Sequence, residues 1–273
     1  MKLLELFSGT HSIGMQAEKL NYEIVSLDRD LEAKSKIYDY TSKHHIKEDI
    51  LTWDYKKEFK PNDFDIITAS PVCLYWSRLR NCWINRKCKA IHPTDIITKE
   101  ILEEDILLKG KPMVDKIFEI IEYFKPRYWW IENPQTGKMK DYIKDKYSKY
   151  NNFYDVDYCK YSDWGYKKKT RFWTNIKNFI PKICHNDCKN MIKIENINLH
   201  KINLGCQNLI IDNDKLIRPN TKAKRAKYKD FKDVHRTHFG EKNRTGCIGG
   251  GNNRLLRYRI PPKLINELLE KCI

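Results

Sequence analysis

A chain of 273 residues, 41% of them hydrophobic, has room for one large α/β domain with a small appended lobe and should fold unaided. Nine cysteines, an odd number without a regular framework, exclude a disulfide scaffold and point to reduced thiols; no apolar run approaches the roughly 18 residues of a membrane span. The 52 Lys+Arg against 36 Asp+Glu leave a net charge of +16, which draws in a polyanion, nucleic acid above all, in a salt-dependent way, although the same lysines would also suit a merely solvated surface.

Chain order gives an alternation of short apolar runs and longer amphipathic ones, the pattern of strands and crossover helices in a parallel sheet. Leu3 to Phe7 reads as a strand, followed by a Gly-bearing turn and a helix over 13–20. Glu5 interrupts this opening stretch too soon for a signal sequence, so a soluble intracellular protein is expected, cytoplasmic or nuclear according to its host. Tyr22 to Leu27 reads as a second strand ending at Asp28, a short strand is expected near His45 and Ile46, and Phe64 to Ala69 is a third clear strand, ending at Ser70 and Pro71.

From Leu74 to Gly110 the periodicity breaks. Arg78, Arg80, Arg86, Lys87 and Lys89 alternate there with Tyr75, Trp76 and Trp83, and a loop of that length inside a domain is expected to be functional. A helix is predicted to begin at Pro112 and run through MVDKIFEIIEYF, and RYWWIEN then reads as a buried strand with a polar tip. YDVDYCKYSDWG and TRFWTNI alternate as two further strands completing the sheet. Residues 178–250 are irregular and rich in Lys and Asn, as expected of a small separate lobe, and IPPKLINELLEKCI closes the chain as a helix entered through prolines. The predicted organisation is a main domain of residues 1–177 and 251–273 with a lobe over 178–250.

Four stretches carry chemistry. In LELFSGTHSIG, a strand, a glycine turn and a helix start form the kind of edge where nucleotide-like cofactors bind, though glycine also serves many ordinary turns. Asp28 ends the next strand, where a carboxylate can accept from both ribose hydroxyls; Asp49 in HIKEDI can meet an adenine amino group, with a helix cap as the equal alternative. Cys73 in ASPVCLYWS follows a central strand beside a basic segment, which suits a nucleophilic thiol; a buried filler or a metal ligand with Cys82 and Cys88 are the alternatives. In WIENPQTG, Glu132 and Asn133 sit at a strand tip next to Pro134, where the carboxyl can protonate a ring nitrogen or be simply a charged turn.

Taken in order, LELFSGTHSIG, SLDRD, SPVC with Ser77 four residues on, IENP, KKKTRFW and the terminal IPPKL resemble the motifs of the cytosine-C5 DNA methyltransferases, most closely their short phage-like or viral members. The resemblance covers about residues 1–177 and 255–270. It implies a Rossmann-like, S-adenosylmethionine-dependent sheet with a target-recognition lobe, acting as a monomer on double-stranded DNA. It implies Cys73 as nucleophile toward carbon 6 of cytosine, Glu132 as the acid at N3, Asn133 orienting it, and Arg171 and Lys169 helping to hold Glu132 and the base. For the cofactor it implies Phe7 against adenine, the Ser8-Gly9 turn at the methionine end, Asp28 on the ribose, Asp49 on the adenine edge, and Ser70 and Pro71 alongside. The chain departs from the pattern at His11, where a second glycine is common, and at Val72, where a second proline is usual.

The resemblance also implies that the target base is flipped out, with Arg and aromatic side chains after Cys73 closing over it. Cytosine-C5 methylation of RNA, or a catalytically silent nucleic-acid-binding partner subunit, are the alternatives. CHNDC at 184–188, with Cys206, offers zinc ligands, but two cysteines three apart suit an unmetallated loop better. KAKRAKYKDFKD at 222–233 suits phosphate contact or a solvated face.

Overall fold

Short apolar runs bounded by polar turns become buried strands here, and the order in which they pair decides where the polar tips gather. The computed structural model describes residues 1–30, 39–88, 92–194, 197–200, 209–212, 215–217, 234–235, 256 and 258–272. Strand β1 (Lys2–Leu6) leads through a tight turn into helix α1 (Ser12–Glu18), and β2 (Glu23–Leu27) and β3 (His44–Ile46) follow. After the single turn α2 (Tyr55–Glu58) comes β4 (Ile66–Ala69), all four of whose residues are buried.

Residues 78–110 are largely regular rather than an open loop. A 3₁₀ turn over Arg78–Trp83 precedes a small antiparallel hairpin of β5 (Lys87–Cys88) and β6 (His92–Ile96). Helix α3 (Lys99–Asp105) then passes through one π turn (Ile106–Gly110) straight into α4 (Lys111–Phe124). The helix predicted to start at Pro112 therefore starts at Lys99. Proline lacks an N–H and crowds the preceding turn, and the wider π turn just before it accommodates both defects without ending the helix. Arg80 is the pin of this segment. It is 2% exposed and ion-paired with Asp105, itself 3% exposed, whose carboxylate also receives His92 Nε2 at 2.8 Å and Lys109 Nζ at 2.7 Å.

Strand β7 (Tyr128–Pro134), helix α5 (Met139–Lys146), β8 (Phe153–Asp157) and β9 (Lys169–Thr174) complete a seven-stranded sheet in the order β3-β2-β1-β4-β7-β9-β8. The first five strands are mutually parallel and β9 runs antiparallel to β7. The two strands expected after residue 150 are thus part of the sheet, and the fold is the expected Rossmann-like α/β one. Leu4, Val25, Ile67, Trp129 and Ile131 from the strands pack with Val114, Ile117, Phe118 and Ile121 of α4 in one apolar cluster.

The chain divides into two compact units, one of residues 1–156, 169–181 and 265–273, the other of 157–168 and 182–264. Described parts of the second unit include the hairpin β10 (Met191–Ile194) and β11 (Ile197–His200), and a three-stranded sheet of β12 (Leu209–Asp212), β13 (Lys215–Ile217) and β14 (Val234–His235). Helix α6 (Pro262–Leu269) is the closing helix expected after the prolines. The basic stretch 222–233, Lys89 and Cys206 lie outside the described residues. Among those residues no helix is long and apolar enough to cross a membrane.

The buried Asp105 cluster makes a testable statement. Burial alone would raise the carboxyl's pKa, but the hydrogen bonds from Lys109, His92 and Arg80 outweigh it and bring the value from 3.8 down to about 2. A carboxyl depressed in the folded chain stabilises fully above its ordinary pKa and loses that contribution as pH falls through the folded value. Asp105→Asn leaves Arg80 buried without its counter-charge and should cost about 3–5 kcal/mol in urea unfolding at pH 7. The gap between wild type and variant should persist down to about pH 4 and close as the pH approaches 2.

Candidate active site

Parallel strands put all their carboxyl ends on one edge of the sheet, and ligands bind where the strand order reverses. That reversal lies at β1, whose neighbours are β2 on one side and β4 on the other. The turn after β1 and the loop after β4 flank this crevice, with Ser70 N–H donating to Leu6 O at 3.2 Å.

The turn after β1 is bent by three residues in the left-handed region: Phe7 (φ 56°), Gly9 (φ 50°) and His11 (φ 52°). Only glycine takes that conformation without cost, so two side chains are held there against their preference. Gly9 N–H donates to Asp28 Oδ2 at 2.9 Å, and Asp28 Oδ1 accepts from Asp30 N–H at 2.8 Å. Asp28 is buried at the carboxyl end of β2. Ser8, 5% exposed, has a buried hydroxyl with no hydrogen-bond partner, an arrangement that is costly unless a polar ligand completes it. Asp49 Oδ1 accepts from Leu51 N–H at 3.0 Å, as a cap does, while Oδ2 receives Arg29 at 3.0 Å on a partly exposed surface.

Two polar groups near this turn were not legible in the sequence. Glu5, 2% exposed, accepts from Ile13 N–H at 3.1 Å at the start of α1. His11 is fully buried, 3.8 Å from Glu5 Oε2, with its ring 5.6 Å from those of Tyr40 and His45. Burial and the neighbouring His11 push the pKa of His45 down. The departure from glycine at residue 11 thus places an imidazole inside the turn.

Cys73 lies in a turn closed by Trp76 N–H to Cys73 O at 3.2 Å. Its side chain is half-buried, so it is neither core filler nor grouped with Cys82. Two hydrogen bonds fasten this turn, one to β7 and one to the start of α5. Asn133 Nδ2 donates to Pro71 O at 2.9 Å, two residues before Cys73, and Lys138 N–H donates to Trp76 O at 2.8 Å, three residues after it. Trp76 is 2% exposed and stacks on Tyr142; Gly110 is needed beside it, since a Cβ there would lie 3.1 Å from the indole. Ser77 Oγ accepts from Leu79 N–H at 3.2 Å and so caps the following 3₁₀ turn.

Glu132 is 6% exposed and Asn133 1% exposed, and Asn133 Oδ1 is buried without a hydrogen-bond partner. Since Ala69 pairs with Ile131 in parallel register, Glu132, inside β7, lies level with Ser70 just past the end of β4. Arg171 lies across from Asn133 and is gripped by Asp155, Nε to Oδ1 at 2.7 Å and Nη2 to Oδ2 at 2.8 Å, with its guanidinium 3.5 Å from the Phe153 ring centre. Gln135 joins the same carboxylate at 2.9 Å. Lys169 is exposed, and its carbonyl accepts from Gln135 N–H at 3.1 Å. Arg80, one of the arginines in the segment expected to close over a target base, is instead buried and ion-paired with Asp105. Cys184 and Cys188 come together with Cys159 and His200, and Cys206 lies outside the described residues.

No family model matches the chain. A curated frog virus 3 (isolate Goorha) protein named "Probable DNA (cytosine-5)-methyltransferase" is 36% identical over 275 residues, covering 100% of both chains. Among solved structures, the Entamoeba histolytica methyltransferase EhMeth is similar at 16% identity and TM-score 0.49, covering 100% of this chain and 97% of that one. The S. pombe Dnmt2 methyltransferase is similar at 15% identity and TM-score 0.40 over 64% of this chain and 48% of that one.

The burial of the thiols predicts their order of modification. Cys73, half-buried, and Cys82, exposed, should be alkylated by iodoacetamide in the native protein. Cys272, fully buried with its pKa pushed up to about 12 by burial, should react only after denaturation. Peptide mass mapping of a time course reads this order, and early labelling of Cys272 ahead of Cys73 would contradict the placement of both.

Proposed function

The chain belongs to the DNA (cytosine-5)-methyltransferase family, and from that premise we propose that it methylates carbon 5 of cytosine in duplex DNA through a covalent bond from Cys73, with S-adenosylmethionine as methyl donor. The observation that carries this reading is the hydrogen bond that ties the Cys73 turn to Asn133, the neighbour of Glu132, with a second tie from Lys138 at the start of α5. It keeps a solvent-reachable thiol and a nearly buried carboxyl on neighbouring strand ends, as a two-group reaction on one flat ring requires.

Carbon 5 of cytosine is too weak a nucleophile to be methylated directly. The thiolate of Cys73 adds to carbon 6, and Glu132 delivers a proton to N3, so the electron pair of the carbon 5–carbon 6 double bond is conjugated into an enamine centred on carbon 5. S-adenosylmethionine, when bound, supplies an electrophilic methyl on sulfonium. A base, for which solvent water suffices, then takes the carbon 5 proton, its bonding pair restores the double bond, the sulfur–carbon 6 pair leaves with Cys73 as thiolate, and N3 returns its proton to Glu132. Asn133 holds the thiol's turn through Pro71 O and leaves its own Oδ1 for the base or the carboxyl. Arg171, clamped by Asp155, stiffens the strand beside Asn133, with Lys169 further along the same edge.

The cofactor is assigned to the reversal edge. The unpartnered Ser8 hydroxyl and the left-handed turn through Phe7 and Gly9 suit a polar ligand held close to backbone, and Asp28 offers acceptors for ribose hydroxyls. Asp49 serves the adenine edge, and Ser70 and Pro71 border it from β4. The charge of +16 suits phosphate contacts, and since ring atoms are out of reach in a stacked duplex the cytosine is flipped out. The lobe over 178–250 is assigned to reading base edges. The six cysteines with described side chains are thiols rather than disulfides, in keeping with a reducing, intracellular setting.

Duplex DNA carrying 5-fluorocytosine lacks the removable carbon 5 proton and should trap an adduct, visible as a protein band shifted on a denaturing gel only when cofactor is present. Cys73→Ala should abolish the band, and Glu132→Gln should slow its appearance by about 10²–10⁴-fold. Wild-type protein that binds cofactor but traps no fluorinated duplex would overturn the reading, and an adduct with tRNA in its place would redirect it to RNA.

A further inference from the structure

The second unit contains a group of side chains that the methyl-transfer reading does not use. Cys159, Cys184, Cys188 and His200 turn three sulfurs and one ring nitrogen toward a common centre, all four atoms lying within 4.8 Å of one another. Cys184 Sγ is 3.6 Å from His200 Nε2 and Cys188 Sγ is 3.4 Å from the same nitrogen. Around a tetrahedral zinc ion, with metal–sulfur and metal–nitrogen distances of about 2.3 and 2.05 Å, sulfur and nitrogen ligands stand roughly 3.6 Å apart and two sulfurs roughly 3.8 Å apart. The group already has nearly that spacing.

Its surroundings are built to hold the ligands in place. Cys184 N–H donates to Asp157 Oδ2 at 2.8 Å, and Lys167 Nζ bridges Asp157 at 3.1 Å and Cys184 O at 2.7 Å. Asn190, 1% exposed, donates to Cys159 O at 2.9 Å and Ser162 O at 2.7 Å while accepting from Gly165 N–H at 2.9 Å. This fixes the Cys159 turn against the backbone just past Cys188. Between Cys184 and Cys188 the chain reverses through Asn186 at φ 64°, and Asp187 ties the reversal to His185 N–H at 3.0 Å and to Lys160 at 2.7 Å. Bonds of this kind around ligand backbones are what metal centres use to orient their donors.

Packing gives a second argument. Among the described residues this buried cluster consists of the three cysteines, with Met191 packed against them. Thiols bury little apolar area, so three of them with an imidazole make a poor core but a complete set of soft donors. Small units with little core are commonly held by a structural metal.

We propose that Cys159, Cys184, Cys188 and His200 bind a structural zinc ion that fastens residues 157–168 to residues 182–200. Three thiolates and a neutral imidazole around Zn²⁺ carry one net negative charge, and Lys160 and Lys167 stand beside the ligand loops to offset it. With four protein donors the ion has no open coordination place, so its role is to hold the fold and not to activate water. The assignment is independent of the methyl-transfer reading.

The test is metal content of the full chain, prepared in zinc-supplemented medium and desalted, with cobalt(II) exchange as a direct optical readout. About one zinc per chain is expected, and the cobalt form should show visible bands of tetrahedral geometry with thiolate-to-cobalt charge transfer. Cys159→Ser and His200→Ala should each lose the metal, while Cys82→Ser and Cys206→Ser should keep it. Wild type without zinc and without the cobalt spectrum overturns the proposal, as does full retention of zinc by His200→Ala. Should a ligand variant fail to fold, the wild-type cobalt spectrum decides by itself, since its charge-transfer intensity counts thiolates and three are required.

Discussion

The hydrogen bond from Asn133 Nδ2 to Pro71 O, 2.9 Å long and buried, joins the two strand tips on which everything in the main unit depends. Strands β4 and β7 are neighbours in the sheet, but neighbouring strands guarantee only that their tips are close, not that the loops beyond them keep a fixed relation. A side-chain amide at one tip that holds a carbonyl of the next loop supplies that relation. With the second tie at Trp76 O, the six-residue turn from Pro71 to Trp76 that carries Cys73 is held at both ends, leaving it few degrees of freedom while Cys73 remains partly exposed. Reactive groups gain most from being held in advance, because ordering them during the reaction would cost entropy at that step.

The long segment after Cys73 is stabilised by a different kind of constraint. Trp76 is pressed into a notch at Gly110 and against Tyr142, and Arg80, Asp105, His92 and Lys109 form a charge cluster around one carboxylate. A buried ion pair contributes little net stability compared with apolar packing, but it strongly disfavours arrangements in which either charge lies buried alone. Register is therefore what it secures: with Arg80 committed to Asp105, the 3₁₀ turn, the hairpin and the π turn have one way to fit. In the proposed reaction, base contacts from this segment fall to its exposed members, such as Arg78 and Arg86.

How far the sequence was legible follows from which interactions are local. Strand tips were readable because apolar runs ending in polar residues are a local pattern, and β1, β2, β4 and β7 lie close to where the runs predict them. Helix α3 was hidden because Pro112 looks like a start, and a π turn that tolerates proline has no local signature. The pairing of Arg171 with Asp155 and of Arg80 with Asp105 joins residues 16 and 25 apart, and no periodicity announces which acid a buried arginine will find. His11 was visible only as a departure from glycine; its contacts with Glu5, Tyr40 and His45 come from three separate stretches. CHNDC stood out in the sequence but read there as an unmetallated loop, because the Cys159 turn and the end of β11 reach it only in the folded chain.

Cysteine serves two opposite ends in this molecule, and physical surroundings distinguish them. At the tip of β4 a single sulfur is half-exposed, and its turn is fixed by bonds to backbone carbonyls that do not engage the thiol's own reactivity. In the second unit three sulfurs are buried within reach of one another, where an isolated thiolate would be repelled by the next and where oxidation would cross-link them. A divalent cation relieves both problems at once, since it neutralises the thiolates and occupies the lone pairs that oxidation would use. The proposed zinc would thus remove three potential competing nucleophiles from a chain whose proposed chemistry requires a single reactive one.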